Sequence, residues 1–83
     1  MKFIVIGTPA CGYCLQAKRL LEDKGFDYEY RCLTEIANEE QQRLMEIADK
    51  EFRTVPQIFI IDDTINDEWR YIGGYTDLAK LIS

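Results

Sequence analysis

The sequence predicts an α/β fold, a four-stranded mixed sheet flanked by three helices in the order β-α-β-α-β-β-α. Three observations predict it. A β-branched apolar run at residues 3–6 gives way at once to helical spacing. A strictly alternating stretch at 26–32 follows that helix. Two short apolar runs, 57–61 and 69–72, stand close together toward the C-terminal end with a polar, turn-rich stretch between them.

The first run, Phe3-Ile4-Val5-Ile6, is closed by Gly7 and Pro9 and reads as a buried strand. Residues 11–24 read as a helix, with Cys14, Ala17, Leu20 and Leu21 at helical spacing and polar residues between them. Gly25 stands where a helix C-cap belongs. The next strand, 26–32, places Phe26, Tyr28, Tyr30 and Cys32 on one face and Asp27, Glu29 and Arg31 on the other. Thr34 is the expected N-cap of a second helix, whose apolar stripe is Ile36, Ala37, Leu44, Met45, Ile47 and Ala48. Residues 52–56 form a connection, and Pro56 suits the position just before a strand at 57–61. Residues 62–68 read as a turn, and 69–72 as the hairpin partner of the preceding strand. Gly73-Gly74 breaks that strand, and 75–83 reads as a closing helix. The first strand–helix–strand unit implies a parallel pair with a right-handed crossover, and the closing hairpin an antiparallel one.

A length of 83 residues has room for one domain, residues 1–83. Hydrophobic residues make up 47% of the chain, which is globular composition. The net charge of −5 argues against nucleic acid and against an anionic membrane, since both need a basic surface. The opening apolar run is too short for a signal peptide or a membrane span, so a cytoplasmic location is expected. The chain has three cysteines, two of them three positions apart, and no histidine. An odd count this close together does not suit a secreted disulfide scaffold and favours chemistry in a reducing compartment.

Cys11 and Cys14, with two residues between them, fit half of a zinc site, a redox pair, or neither. Zinc needs four ligands, and beyond this pair the chain offers Cys32 alone as a soft ligand, so no metal site is expected. The position favours the redox pair, because the motif follows a strand and opens a helix within a βαβ pattern. Unpaired N–H groups and the helix dipole favour negative charge there, so a thiol is pushed toward thiolate. Cys11, at the exposed end, is expected to attack. Cys14, one turn in, is expected to be buried and to resolve. Lys18 and Arg19 lie further along the same helix, either adding positive potential or forming a solvated face.

Cys11-Gly12-Tyr13-Cys14, Thr54-Val55-Pro56-Gln57 and Gly73-Gly74-Tyr75-Thr76-Asp77-Leu78 occur in this order over essentially the whole chain. Together they resemble the glutaredoxin family, of the thioredoxin-like fold. The resemblance implies reduction of disulfides, especially mixed disulfides with glutathione, with electrons taken from glutathione as co-substrate and no permanently bound cofactor. It implies that Pro56 is cis and faces the cysteines. It implies that Thr54 and the Val55 backbone border glutathione, that Thr76 and Asp77 hold its γ-glutamyl end, and that Tyr13 and Tyr75 flank it. A helix opening at Thr76 and Asp77 can receive a carboxylate, and a peptide ligand can pair with extended backbone.

Two departures from the family pattern stand out. Gly12 replaces a proline common in the family, which loosens the first helical turn. Some members with glycine there bind an iron–sulfur cluster, so a [2Fe–2S] carrier built from two chains, with Cys11 and glutathione as ligands, is the alternative. Thr8 stands where many members carry a lysine or arginine for the glycyl carboxylate of glutathione. Arg53, just before Thr54, is the sequence candidate to replace it, with an ordinary surface charge as the competing reading. A further alternative keeps the fold but draws electrons from a flavoenzyme; the Thr76-Asp77 pair argues against it. Expected partners are glutathione and disulfide-containing proteins, among which ribonucleotide reductase fits, and the chain is expected to be a monomer. Cys32, in the apolar phase of its strand, reads as a buried inert thiol. Trp69, Tyr28 and Tyr30 read as packing residues, and Glu39-Glu40 as a solvated helix face.

Overall fold

In the computed structural model, residues 2–9, 11–62 and 68–82 are described. Strand β1 (Lys2–Gly7) leads into helix α1 (Gly12–Lys24), strand β2 (Tyr28–Cys32), helix α2 (Asn38–Ala48), strands β3 (Gln57–Asp62) and β4 (Glu68–Gly73), and helix α3 (Tyr75–Ile82). The sheet order is β2-β1-β3-β4. Strand β1 pairs parallel with β2, and β3 pairs antiparallel with β4, as the sequence pattern predicts; β1 also pairs antiparallel with β3, which joins the two units. Of the turn expected at 62–68, Asp62 and Glu68 belong to β3 and β4, and residues 63–67 lie outside the described residues.

The alternation along β1 decides the layers. Phe3 and Val5 meet Ala17 and Leu21 of α1 and Leu78 of α3 on one face of the sheet. Ile4 and Ile6 meet Leu44 of α2, with Ile36 and Phe59, on the other. Strand β1 thus feeds both cores, and its residues 3–6 are at most 1% exposed. Phe59 anchors the second core, with Tyr71, Trp69 and Phe52 rings at 5.2, 6.0 and 6.1 Å between centroids.

Helix α1 ends as expected at Gly25, whose φ of 77° lies in the left-handed region that glycine enters without a steric penalty. The backbone amides of Gly25 and Phe26 then close on the carbonyls of Glu22 and Leu21. The expected N-cap of α2 is corrected. Thr34 lies in a separate 3-10 turn, Leu33–Glu35, and α2 begins four residues later than Thr34. The competing interaction is Gln41, whose side-chain amide donates to the carbonyls of Leu33 and Ile36 at 3.0 and 2.9 Å. Those bonds hold the turn apart from the helix, and Ile36 enters the core from an extended backbone. Ala37 occupies the N-cap position with no side-chain bond. Ile47, counted in the expected stripe, is 38% exposed.

At the β2 side of the sheet, Lys2 pairs with Glu29 at 3.2 Å, and Arg31 pairs with Glu29 and reaches Glu40 of α2 at 2.6 Å. The Arg31 hydrogen bond is the main reason the Glu29 carboxyl is held below its ordinary range.

Phe59→Ala should remove the ring on which three other aromatics converge. Large-to-small changes of this kind cost about 3–5 kcal/mol, against about 5–15 kcal/mol for a whole domain. Urea unfolding of the reduced protein should show a loss of that size; a change below about 1 kcal/mol would mean the aromatic cluster closes over the gap.

Candidate active site

Cys11 is the N-cap of α1, with an extended backbone (φ −101°, ψ 111°). Its Sγ accepts the backbone N–H of Cys14 at 3.1 Å, in the place where an N-cap hydroxyl or carboxylate usually serves. The sulfur therefore sits where the unpaired amides and dipole of α1 favour a negative charge. Sγ also stands 3.6 Å from the Val55 carbonyl oxygen, across 44 positions of sequence. Cys14 is buried, as expected; Cys11, expected at an exposed end, is half-buried.

Cys14 packs against the end of β1. A β-carbon on Gly7 would lie 2.3 Å from Cys14 Sγ, so only glycine leaves room for this thiol. Burial is the first cause that pushes the Cys14 thiol up to about 11, with its hydrogen bond to Cys11 next; a backbone hydrogen bond from Thr8 and the charge of Lys18 act the other way. Cys14 is thus a neutral thiol in the resting protein. Gly12 is exposed and a β-carbon there would meet nothing within 4 Å, so a side chain would fit.

Beside Cys11 opens a cleft of about 270 Å³. Seven residues singled out from the sequence line it: Tyr13, Thr54, Val55, Pro56, Tyr75, Thr76 and Asp77. The Val55–Pro56 peptide is cis. The Tyr13 and Tyr75 rings are 6.0 Å apart at one wall. Asp77 is the third residue of α3, and its carboxylate accepts the Gly74 N–H at 3.2 Å, so it already steadies that helix start.

Arg53 is placed elsewhere. It does not line the cleft; its side chain is 84% exposed and its guanidinium lies 3.4 Å from the Glu51 carboxylate. Sequence reasoning assigned no role to Lys50, Gln57 or Tyr71, which do line the cleft. Gln57 is 1% exposed, donates to the Thr54 carbonyl at 2.7 Å and accepts from the Tyr71 hydroxyl. It ties the Thr54–Pro56 segment to the two C-terminal strands. Its place beside Pro56 in the motif was the available signal. Lys50 follows Asp49, the left-handed C-cap of α2, and its direction is a tertiary outcome.

Cys32 is half-buried, not buried, with Sγ 3.0 Å from Thr34 Oγ1. Among the described residues no group of three or more His, Cys, Asp or Glu side chains is gathered to hold a metal ion. For a cluster shared between chains, Cys14 is enclosed and Cys11 alone of the pair reaches outward. No helix among the described residues is long and apolar enough to cross a membrane.

The glutaredoxin family model matches residues 3–65. The chain belongs to the glutaredoxin family. It is 34% identical over 86 residues to glutaredoxin 1 of Escherichia coli, covering 99% of this chain and 93% of that protein. It is 39% identical over 89 residues to a glutaredoxin of Haemophilus influenzae, covering 99% and 91%. Reduced E. coli glutaredoxin aligns with a TM-score of 0.71 at 34% identity, covering 99% of this chain and 93% of that one. A buckwheat glutaredoxin solved as a glutathione complex aligns with a TM-score of 0.67 at 26% identity, covering 94% and 64%. The thioredoxin-like fold and the activity class, thiol–disulfide oxidoreductase, follow from this membership.

The Cys14 thiol gives a stability prediction with a definite sign. Its folded value of about 11 lies above the ordinary 9.0, so the folded protein holds this proton more tightly. The contribution is fully present below pH 9.0 and is lost as pH rises toward 11. Compared with Cys14→Ala under reducing conditions, the native sequence should lose stability across that window. A difference that stays constant with pH in urea unfolding would contradict it.

Proposed function

We propose that this chain is a glutathione-dependent oxidoreductase of the cytoplasm, reducing glutathione mixed disulfides and protein disulfides, with ribonucleotide reductase among the protein substrates such a donor serves. The approach of Cys11 Sγ to the carbonyl of Val55, itself a lining residue of the cleft, carries the reading.

In the proposed reaction the Cys11 thiolate attacks the glutathione sulfur of a mixed disulfide. The Cys11–glutathione bond forms, the substrate S–S bond breaks, and the substrate leaves as a thiolate that takes up a proton. A second glutathione then attacks the glutathione sulfur on Cys11, giving glutathione disulfide and regenerating Cys11. On a protein disulfide, Cys14 attacks Cys11 Sγ instead, closing the Cys11–Cys14 bridge and releasing the second protein thiol; two glutathiones reopen the bridge.

The cleft supplies groups for each part of glutathione. The start of α3, with Thr76, receives the γ-glutamyl carboxylate, and Asp77 accepts from its ammonium. The Val55 backbone pairs with the cysteinyl residue beside Pro56 and Thr54, between Tyr13 and Tyr75. Lys50, which lines the cleft where Arg53 does not, meets the glycyl carboxylate. One chain carries every group, so the reaction requires no second copy.

Cys11→Ser should abolish reduction of both disulfide classes in a glutathione-coupled assay, whereas Cys14→Ser should keep turnover on glutathione mixed disulfides and lose it on protein disulfides. Substantial turnover by Cys11→Ser would defeat the assignment. The same assay run beside one coupled to thioredoxin reductase tests the electron source; faster turnover with the flavoenzyme would replace glutathione as donor. For the glycyl subsite, Lys50→Ala should raise the glutathione KM several-fold, more at low salt, with Arg53→Ala close to unchanged. The reverse order would return the role to Arg53.

A further inference from the structure

A second groove, of about 340 Å³, has Cys11, Cys14, Lys18 and Tyr30 among its walls. Cys14 and Lys18 are four positions apart on α1 and so are neighbours on one face of that helix. Lys18 Nζ stands 4.4 Å from the centroid of the Tyr30 ring, a cation–π contact that reaches from α1 to β2. Tyr30 continues inward: a β-carbon on Gly7 would have the Tyr30 hydroxyl at 3.7 Å and Cys14 Sγ at 2.3 Å. An ammonium, the ring that holds it and the enclosed thiol thus converge in one place, and neither Lys18 nor Tyr30 lines the glutathione cleft.

We propose that Lys18, held against the Tyr30 ring, is a positioning residue for the resolving step, its ammonium promoting ionisation of the Cys14 thiol once Cys11 is engaged in a mixed disulfide. The proposal rests on the dithiol reading above. Cys14 has to ionise to attack, and it is enclosed. The groups facing it are Cys11, the Thr8 backbone and Lys18, with Tyr30 across the groove and Cys32 and Glu35 acting on Tyr30 in turn. Besides burial, the influences that hold the Cys14 proton on come from Cys11, through a hydrogen bond and through charge. The charge vanishes and the hydrogen bond weakens when the Cys11 sulfur is bonded to another sulfur and carries neither proton nor charge. Burial then stands against the Thr8 backbone and Lys18. Capture of substrate at Cys11 therefore itself readies the second thiol, and Lys18 is the cation that completes the change. The Cys14 proton leaves to water in the groove. The thiolate attacks Cys11 Sγ, the Cys11–Cys14 bond forms, and the bond from Cys11 to substrate breaks with its electron pair on the departing sulfur. The cysteine pair is oxidised by two electrons and the substrate is reduced by two.

The test uses the reduced full chain carrying Cys32→Ser, mixed rapidly with an excess of a neutral dipyridyl disulfide whose released thione absorbs light. The first release reports attack by Cys11. The second, independent of reagent concentration, reports closure by Cys14 and should be missing in Cys14→Ser. A weaker acid is a better nucleophile, which returns about half of any loss on a logarithmic scale. Lys18→Met should therefore slow the second phase roughly threefold to fivefold near neutral pH and move its pH midpoint upward. Lys18→Arg should keep the rate within about twofold. Tyr30→Phe should leave the second phase unchanged, and Tyr30→Leu should slow it as Lys18→Met does. A second phase in Lys18→Met with unchanged rate and pH midpoint, or one slowed equally in Lys18→Arg, would overturn the role of the charge while leaving the dithiol reading in place. Absence of the second release from the protein with native Lys18 and Cys14 would overturn both.

Discussion

One hydrogen bond, from the Cys14 amide to Cys11 Sγ, joins helix stability to chemistry. An N-cap residue needs a side-chain acceptor for an amide that the helix cannot satisfy. Here the acceptor is the sulfur atom itself, so the group that caps α1 is also the candidate nucleophile. The same bond fixes where Sγ points, toward the Val55 carbonyl and the cleft beyond it. Cys14, whose amide donates, is in turn anchored because Gly7 leaves its side chain room at the end of β1. The site is therefore built on an enclosed strand of the sheet that feeds both cores.

The second half of the site is held differently. The Thr54–Pro56 segment comes from a connection, not from a helix or strand, and connections are ordinarily the mobile parts of a fold. Gln57 compensates. Enclosed and hydrogen-bonded at both ends of its amide, it fastens the Thr54 carbonyl to Tyr71 on β4. A buried polar side chain is costly unless it is satisfied, and here its satisfaction is what sets the wall of the cleft.

The features legible in the sequence were those decided within a few residues of themselves. The apolar run of β1, the alternation of β2, Gly25 after α1 and the two-residue spacing of Cys11 and Cys14 each carry a local physical cause. Thr34 misled because a local cap and a distant competitor, Gln41, make different demands on the same backbone, and composition does not say which wins. Lys50 and Arg53 could not be told apart for a similar reason. They are three positions apart with the same charge, and the left-handed turn at Asp49 and the path into Thr54 decide which of them lines the cleft. The face shared by Cys14 and Lys18 was readable from helical spacing; the Tyr30 ring that holds the lysine was not, because β2 arrives there only through the crossover.

Strand β2 lies at an edge of the sheet. An open edge is a template on which another chain can add a strand. Here every second residue of β2 on the α2 side is charged, and Lys2, Glu29, Arg31 and Glu40 are already engaged with one another. An incoming strand would have to strip water from that network. The charges that look like surface ornament thus act as a guard on the parallel edge, working against aggregation of a small sheet.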